Sequence, residues 1–243
     1  MSQGFSNVYD DKVRAEAYDS LEFAGTYYLA FRDLPAILKD HVKGGKAIDF
    51  GCGTGRSTRF LRRLGFDVVG VDIAEHMLRR ARKRDPDGDY RLVADGNLNG
   101  FAAESYDLVF SAFTFDNVPT MEKKVLLFRS LKGLLSRTGR VVSVVSSPEI
   151  YVNEWTSFST KHFPENQTAK SGDKVLVVML DVDDRRPVED IIWMDQDYQE
   201  TYKLAGLVPV ISYRPLATQD EPYIWVSETK ISPWVIYVLR PGG

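Results

Sequence analysis

A chain of 243 residues, 44% hydrophobic and 27% charged, is long enough for one large α/β domain or for one domain carrying an inserted cap. Its formal charge of -3 provides no global field for nucleic acid, and its single cysteine, Cys52, excludes an intramolecular disulfide and fits a reducing compartment. No apolar run approaches membrane-spanning length, and Met1-Ser2-Gln3-Gly4-Phe5 lacks a basic region followed by an apolar core, so the expectation is a cytoplasmic protein, monomer or homodimer, with neither nucleic acid nor membrane as partner.

Residues 1–43 read as an N-terminal helical cover. Val8 to Leu21 is polar and mixed, Thr26 to Phe31 is rich in aromatics, and Asp33-Leu34-Pro35 has the form of a helix start with proline in the first turn. Arg32 is a charged group in an apolar stretch and needs a partner, either a ligand carboxylate or an ordinary ion pair. Gly44-Gly45 then turns the chain into a short apolar strand, Lys46 to Phe50. Glycines follow at 51, 53 and 55, and Arg56 to Leu64 reads as a helix closed by Gly65. Strand, glycine turn and helix form the build of a nucleotide-type cofactor site, in which the unpaired N–H groups of the helix start face the ligand.

The dinucleotide fingerprint places its third glycine three positions beyond the second. Here that glycine comes one position early, Arg56 holds its slot, and Asp49 would repel a pyrophosphate but suit a cation. Asp49-Phe50-Gly51-Cys52-Gly53-Thr54-Gly55 resembles the first motif of the class I S-adenosylmethionine-dependent methyltransferases. The cofactor of that family carries an ammonium and a sulfonium and no phosphate. Gly51, Cys52 and Gly53 are accordingly candidates for the cofactor turn. Cys52 is either a reactive thiol or a small residue filling that turn.

The next apolar run, Phe66 to Val71, reads as a buried parallel strand ending in Asp72, where nucleotide folds place an acid on the ribose hydroxyls; Asp72 is equally suited to cap the following helix. That helix carries Ile73, Met77 and Ala81 at four-residue spacing, with Met77 a candidate adenine contact. Arg79 to Arg84 is basic but lacks interleaved aromatics, and it reads as a solvated helix end rather than a nucleic-acid patch. Tyr90 to Ala94 is a third strand, followed by Asp95-Gly96, and the resemblance implies that Asp95 accepts from the adenine amino group. Asp49, Asp72 and Asp95 stand 23 residues apart, the length of successive βα units, so all three are expected on one edge of the sheet.

Tyr106 to Ser111 reads as the fourth strand, and the resemblance implies that the residues at its end, Ser111 and Phe113 among them, line the methyl-transfer site. Phe113 and Phe115 are candidates to face a cation or the acceptor, and Asp116 is the best-placed candidate base; the alternative is that Asp116 and Asn117 organise the turn before Pro119. Glu122 to Ser136 is an amphipathic helix and Arg140 to Ser146 a fifth strand. Residues 149–194 break the pattern as an inserted cap: irregular and aromatic to about residue 172, then a hairpin of Lys174 to Leu180 and Val188 to Met194. Family members commonly build acceptor specificity into such an insert and into the N-terminal helices. The resemblance thus makes Tyr18, Tyr27, Trp155 and Trp193 acceptor-pocket candidates and gives Arg32 a possible cofactor carboxylate. His162 is a second candidate base, with a solvated loop histidine as the alternative. Asp195 to Ala205 returns to helix, and Leu207 to Tyr213 and Ile231 to Leu239 are strands.

The implied fold is a doubly wound, seven-stranded, mostly parallel sheet with a C-terminal antiparallel strand. The implied activity is transfer of a methyl group from S-adenosyl-L-methionine to an O, N or C atom of a small, partly aromatic or apolar molecule, leaving S-adenosyl-L-homocysteine. No metal is expected. The alternatives are an NAD(P)-dependent oxidoreductase, disfavoured by the glycine spacing and Asp49, and a non-catalytic S-adenosylmethionine-binding module.

Overall fold

The computed structural model describes residues 23–94 and 97–242. Two short helices, α1 (Thr26–Arg32) and α2 (Leu34–His41), lead into β1 (Lys46–Phe50). Then follow α3 (Arg56–Arg63), β2 (Asp67–Asp72), α4 (Glu75–Arg84), β3 (Asp89–Leu92), β4 (Tyr106–Ala112), a 3₁₀ turn (Phe115–Asn117), α5 (Met121–Leu134) and β5 (Leu135–Ser146). The chain next enters β6 (Phe158–Ser159), β7 (Lys174–Met179) and β8 (Val188–Ile191), and closes with α6 (Asp195–Leu204), β9 (Leu207–Tyr213) and β10 (Trp234–Pro241).

The main sheet has seven strands in the order β3-β2-β1-β4-β5-β10-β9. β1 to β5 run parallel, whereas β10 lies antiparallel to both β5 and β9. The order reverses direction at β1, and in open sheets of this kind ligands sit beyond the carboxyl ends of the strands at that reversal. The strands read as apolar runs because both faces are covered. On one face Ala47, Val68, Phe110 and Val144 pack with Leu29, Leu34 and Leu38 of the N-terminal helices and Leu61 of α3. On the other, Ile48, Val109, Val141 and Val235 pack with Phe128 and Leu131 of α5 and Tyr202 of α6.

The expected elements form, with shifted ends. β5 starts at Leu135 rather than Arg140, because Ser136 to Gly139 continues extended past the irregularity opposite β4. β10 starts at Trp234 rather than Ile231, after Pro233. Met194 holds the N-cap position of α6. The insert holds a three-stranded antiparallel sheet, β6-β7-β8, with the short β6 unforeseen. Its Phe158, Val177 and Met179 join the same apolar cluster as α1 and the main sheet. A buried carboxylate ties these parts together: Glu228 accepts from the Thr26 hydroxyl (2.7 Å) and from the backbone N–H groups of Thr156 (2.8 Å), Val226 (2.9 Å) and Ser227 (3.0 Å). Among the described residues, no helix is long and apolar enough to cross a membrane.

Candidate active site

The turn between β1 and α3 is built by three left-handed glycines. They have different reasons to be glycine. At Gly51 (φ 76°) a Cβ would stand 2.1 Å from the Thr114 hydroxyl, which donates to the Phe50 carbonyl at 3.1 Å; the missing side chain lets the tip of β4 close onto the tip of β1. At Gly53 (φ 54°) a Cβ would meet only the Met77 methyl, at 3.4 Å, so this is where the turn offers bare backbone to a ligand. The Gly53 N–H donates to Asp72 Oδ2 and the Ala74 N–H to Oδ1, each at 2.8 Å. Asp72 therefore braces the turn and the entry to α4, while its half-buried carboxylate keeps lone pairs for further donors. Burial raises the Asp72 pKa and the backbone donors oppose that rise.

Asp49 corrects the expectation of three acids side by side at the sheet edge. The β1–β2 register pairs Asp49 with Gly70, so Asp49 lies below the tip at which Asp72 stands; a spacing of 23 residues overshoots the actual offset by two. Asp49 is fully buried under the turn. Its Oδ2 accepts the hydroxyls of Ser57 and Thr58, both at 2.6 Å, and its Oδ1 has no protein partner. Burial pushes its pKa up to about 6. Asp95 and Gly96 lie outside the described residues, as does Tyr18. Cys52 is buried with its thiol pushed well above the ordinary range, so it fills the turn rather than presenting a thiolate. Met77 is buried beneath Gly53, whereas Ile73 is 45% exposed beside Asp72 at the same strand end.

An orphaned buried oxygen on Asp49, open backbone at Gly53 and an acid at the β2 tip fit a nucleoside carrying positive charge. The Gly53 turn, Asp72, Ile73 and Met77 are the residues that would hold it.

A cleft open to solvent lies beside this turn, between the ends of β4, β5 and β10 and the small sheet. Its wall is aromatic. Tyr27, Phe113, Phe158 and Trp234 all line it and contact one another with centroid separations of 4.7–5.8 Å. The Trp234 indole N–H is fixed on the Thr26 carbonyl at 2.7 Å. Phe113 has φ 63°, a conformation costly for a bulky residue, and it marks the point where β4 leaves the sheet.

The polar side of the cavity is Asp116 and Asp190. Asp116 is buried and receives the Ser146 N–H (3.1 Å) and hydroxyl (2.9 Å) on Oδ2. Asp190, on β8, accepts from the Tyr151 hydroxyl at 3.2 Å. Burial raises both acids, Asp116 to about 6 and Asp190 to about 7, and the charge of Asp116 adds to the shift of Asp190. Lys124 of α5 approaches Asp116 from behind. Its ammonium is buried, donates to the Phe115 carbonyl and lies 4.8 Å from the Trp193 ring centroid. Burial lowers its pKa to about 7, opposed by Asp116.

Of the residues singled out by sequence, Tyr27, Phe113 and Asp116 meet in this cavity. Others do not. Arg32 spends its donors on Asp33 (2.7 and 2.8 Å), Glu221 (2.5 Å) and the Leu216 carbonyl (3.1 Å), so the ion-pair alternative holds and the cofactor-carboxylate role is withdrawn. Phe115 points into the core, stacked on Phe128 at 4.0 Å and on Phe50 at 6.0 Å. Trp155 is core, its N–H on the Ile150 carbonyl at 2.8 Å. Trp193 packs against Lys124 and Tyr198 on the opposite face. Ser111 is fully buried within β4, without a partner for its hydroxyl. His162 sits exposed in the turn after β6, away from the cavity lining. Asp190, Tyr151, Phe158 and Trp234 were missed. Only Asp190 left a signal, an acid opposite Val175 of β7.

Fold and turn together define an α/β domain of the methyltransferase type. Residues 48–143 match the family model described as a methyltransferase domain. An uncharacterized methyltransferase from Alkaliphilus oremlandii is 24% identical over 139 residues, 57% of this chain and 62% of that protein. A demethylmenaquinone methyltransferase from Thermotoga maritima is 28% identical over 130 residues, 48% of this chain and 55% of that protein. The chain thus spans about 60% of the length of the curated relatives it matches. Among solved structures, an S-adenosylmethionine-dependent methyltransferase from Clostridium acetobutylicum superposes with TM-score 0.62 at 14% identity, covering 97% of each chain. The CcbJ methyltransferase from Streptomyces caelestis superposes with TM-score 0.63 at 16% identity, covering 91% of this chain and 100% of that one. The matched region resembles the methyltransferase-domain family, and the fold built around it is that of the class I S-adenosylmethionine-dependent methyltransferases.

Proposed function

We propose that this chain is an enzyme that methylates a small, partly apolar molecule, with S-adenosylmethionine held at the β1–α3 turn and the acceptor in the adjoining aromatic cavity. The observation that carries the reading is the adjacency of the two: Phe113, Thr114 and Asp116 follow directly on β4, and Thr114 packs against Gly51 of the turn. When bound, the cofactor supplies an electrophilic methyl group on sulfonium sulfur. Everything else falls to the protein. Tyr27, Phe113, Phe158 and Trp234 bind an apolar body and keep water from it. Aligning two reactants in this way accounts for roughly 7–11 kcal/mol of barrier reduction. Asp116, oriented by Ser146, holds the proton that an acceptor must lose, and a positioned base of this kind contributes about 10²–10⁴-fold. The inserted residues 149–194 act as the acceptor cap, because Phe158, Val177 and Asp190 close one side of the cavity.

Relatives named demethylmenaquinone methyltransferases support a small-molecule acceptor over a macromolecular one. The test is an acceptor screen scoring S-adenosylhomocysteine release. Turnover with a small molecule and at least a hundredfold loss in Asp116→Asn are expected. Full turnover in Asp116→Asn refutes the base assignment, and release only with nucleic acid or protein refutes the acceptor class.

A further inference from the structure

The cavity carries a charge requirement that narrows the acceptor. Two carboxylates, Asp116 and Asp190, enter it from different elements, the 3₁₀ turn after β4 and β8 of the small sheet. Among the described residues lining it there is no lysine, arginine or histidine. The one ammonium nearby, Lys124, is engaged behind the turn by the Phe115 carbonyl and the rings of Trp193 and Tyr198. Lys124 is spent behind the turn, so within the cavity the two acids face each other without a cation. A desolvated like-charged pair is stable only with a shared proton or a cation between them. The wall also carries four aromatic rings, whose faces attract a cation, beside the apolar Ile150, Val177, Met179 and Val188; the Arg56 guanidinium lies 5.0 Å from the Tyr27 ring centroid. An ammonium would supply that cation in place of the proton, whereas an anionic acceptor would add to the negative charge.

We infer that the acceptor is an amine, which enters the cavity as an ammonium held between Asp116 and Asp190 and caged by Tyr27, Phe113, Phe158 and Trp234. This rests on the acceptor-cavity reading above and adds the class of the molecule and the role of Asp190. The ammonium is also the form that must be activated. One N–H bond breaks with its electron pair staying on nitrogen, an O–H bond forms on the Asp116 carboxylate, and the freed lone pair is the nucleophile. Asp190 keeps its charge meanwhile, assisted by the Tyr151 hydroxyl.

The test uses three probes of nearly equal shape, 2-phenylethylamine, 2-phenylethanol and 3-phenylpropionate, titrated calorimetrically into the whole protein without cofactor at fixed salt. The amine is expected to bind at least tenfold more tightly than either of the others. Asp190→Asn, close to isosteric, should cut that preference below threefold while leaving the alcohol unchanged. The wild-type comparison needs no variant, so a poorly folding Asp190→Asn does not remove the test. Equal binding of the three, tighter binding of the carboxylate, or binding of none overturns the inference. S-adenosylhomocysteine is titrated into the same samples. If it binds and the amine preference is absent, only the amine inference fails; if it does not bind and the preference is present, the methyltransferase reading fails and the cation cavity stands.

Discussion

Replacing Asp72 by alanine tests the bracing that the structure shows and the ribose contact proposed for the same carboxylate. In the free protein the substitution removes the acceptor for the N–H groups of Gly53 and Ala74, each now 2.8 Å away. Leaving such partly buried donors unpaired costs about 1–3 kcal/mol, or about 2–10 °C in Tm for a chain of this size. In the complex it also removes the acceptor for two vicinal hydroxyls. Two charge-assisted hydrogen bonds at about 1.5 kcal/mol each give about 3 kcal/mol, a rise in Kd of about 100-fold. Asp72→Asn keeps one oxygen but sets an NH₂ against a backbone donor, so about tenfold is expected. Calorimetric titration with S-adenosylhomocysteine reads the binding, and thermal melting of the free variants reads the bracing. A Kd within threefold of wild type in both variants, alongside a lowered Tm, would refute the ribose role and leave Asp72 as a brace only.

The two glycines should separate in the same assays. Gly51→Ala drives a methyl into Thr114 and should lower Tm sharply, whereas Gly53→Ala meets only Met77 and should melt closer to wild type yet lose S-adenosylhomocysteine binding. Trp155→Ala should cost about 3–5 kcal/mol in a denaturant melt, as expected for a buried aromatic, while His162→Ala, at an exposed position, should leave both stability and turnover within twofold. Stability should fall as pH rises from about 4 to 7. Asp116 and Asp190 hold protons in the fold that the unfolded chain has already released, so the folded state binds more protons across that window. Asp190→Asn should flatten the slope measured by melting at successive pH values, and an unchanged slope would contradict the shared-cavity picture. Lys124, lowered to about 7, works in the opposite sense above that pH, which limits the window to its acid side.

The sheet was legible because its information is local. Valine-rich runs, glycine turns and helix stops mark each βα unit, and the fold follows from their order. The glycine turn and Asp72 were legible for the same reason. Spacing was a weaker guide. A repeat of 23 residues placed Asp49 level with Asp72, but the strands pair at an offset of 21, and two residues of excess put Asp49 under the turn rather than at the tip. The cavity was only half legible. Tyr27 and Phe113 are brought together with Trp234 and Phe158 from 131 or more residues away in the case of Tyr27, and no local pattern distinguishes Trp234 at the cavity from Trp155 in the core. Aromatic residues in an insert say that something is covered, not which ring faces it. Arg32 illustrates the converse. The ion-pair alternative holds through the adjacent Asp33 and through Glu221, a partner 189 residues away that no local pattern names.

The account depends most on what the β1–α3 turn binds. Titrating the wild-type protein in parallel with S-adenosylhomocysteine and with NADH measures this directly. Saturable one-to-one binding of the first and none of the second is predicted; NADH binding with no response to S-adenosylhomocysteine would contradict it.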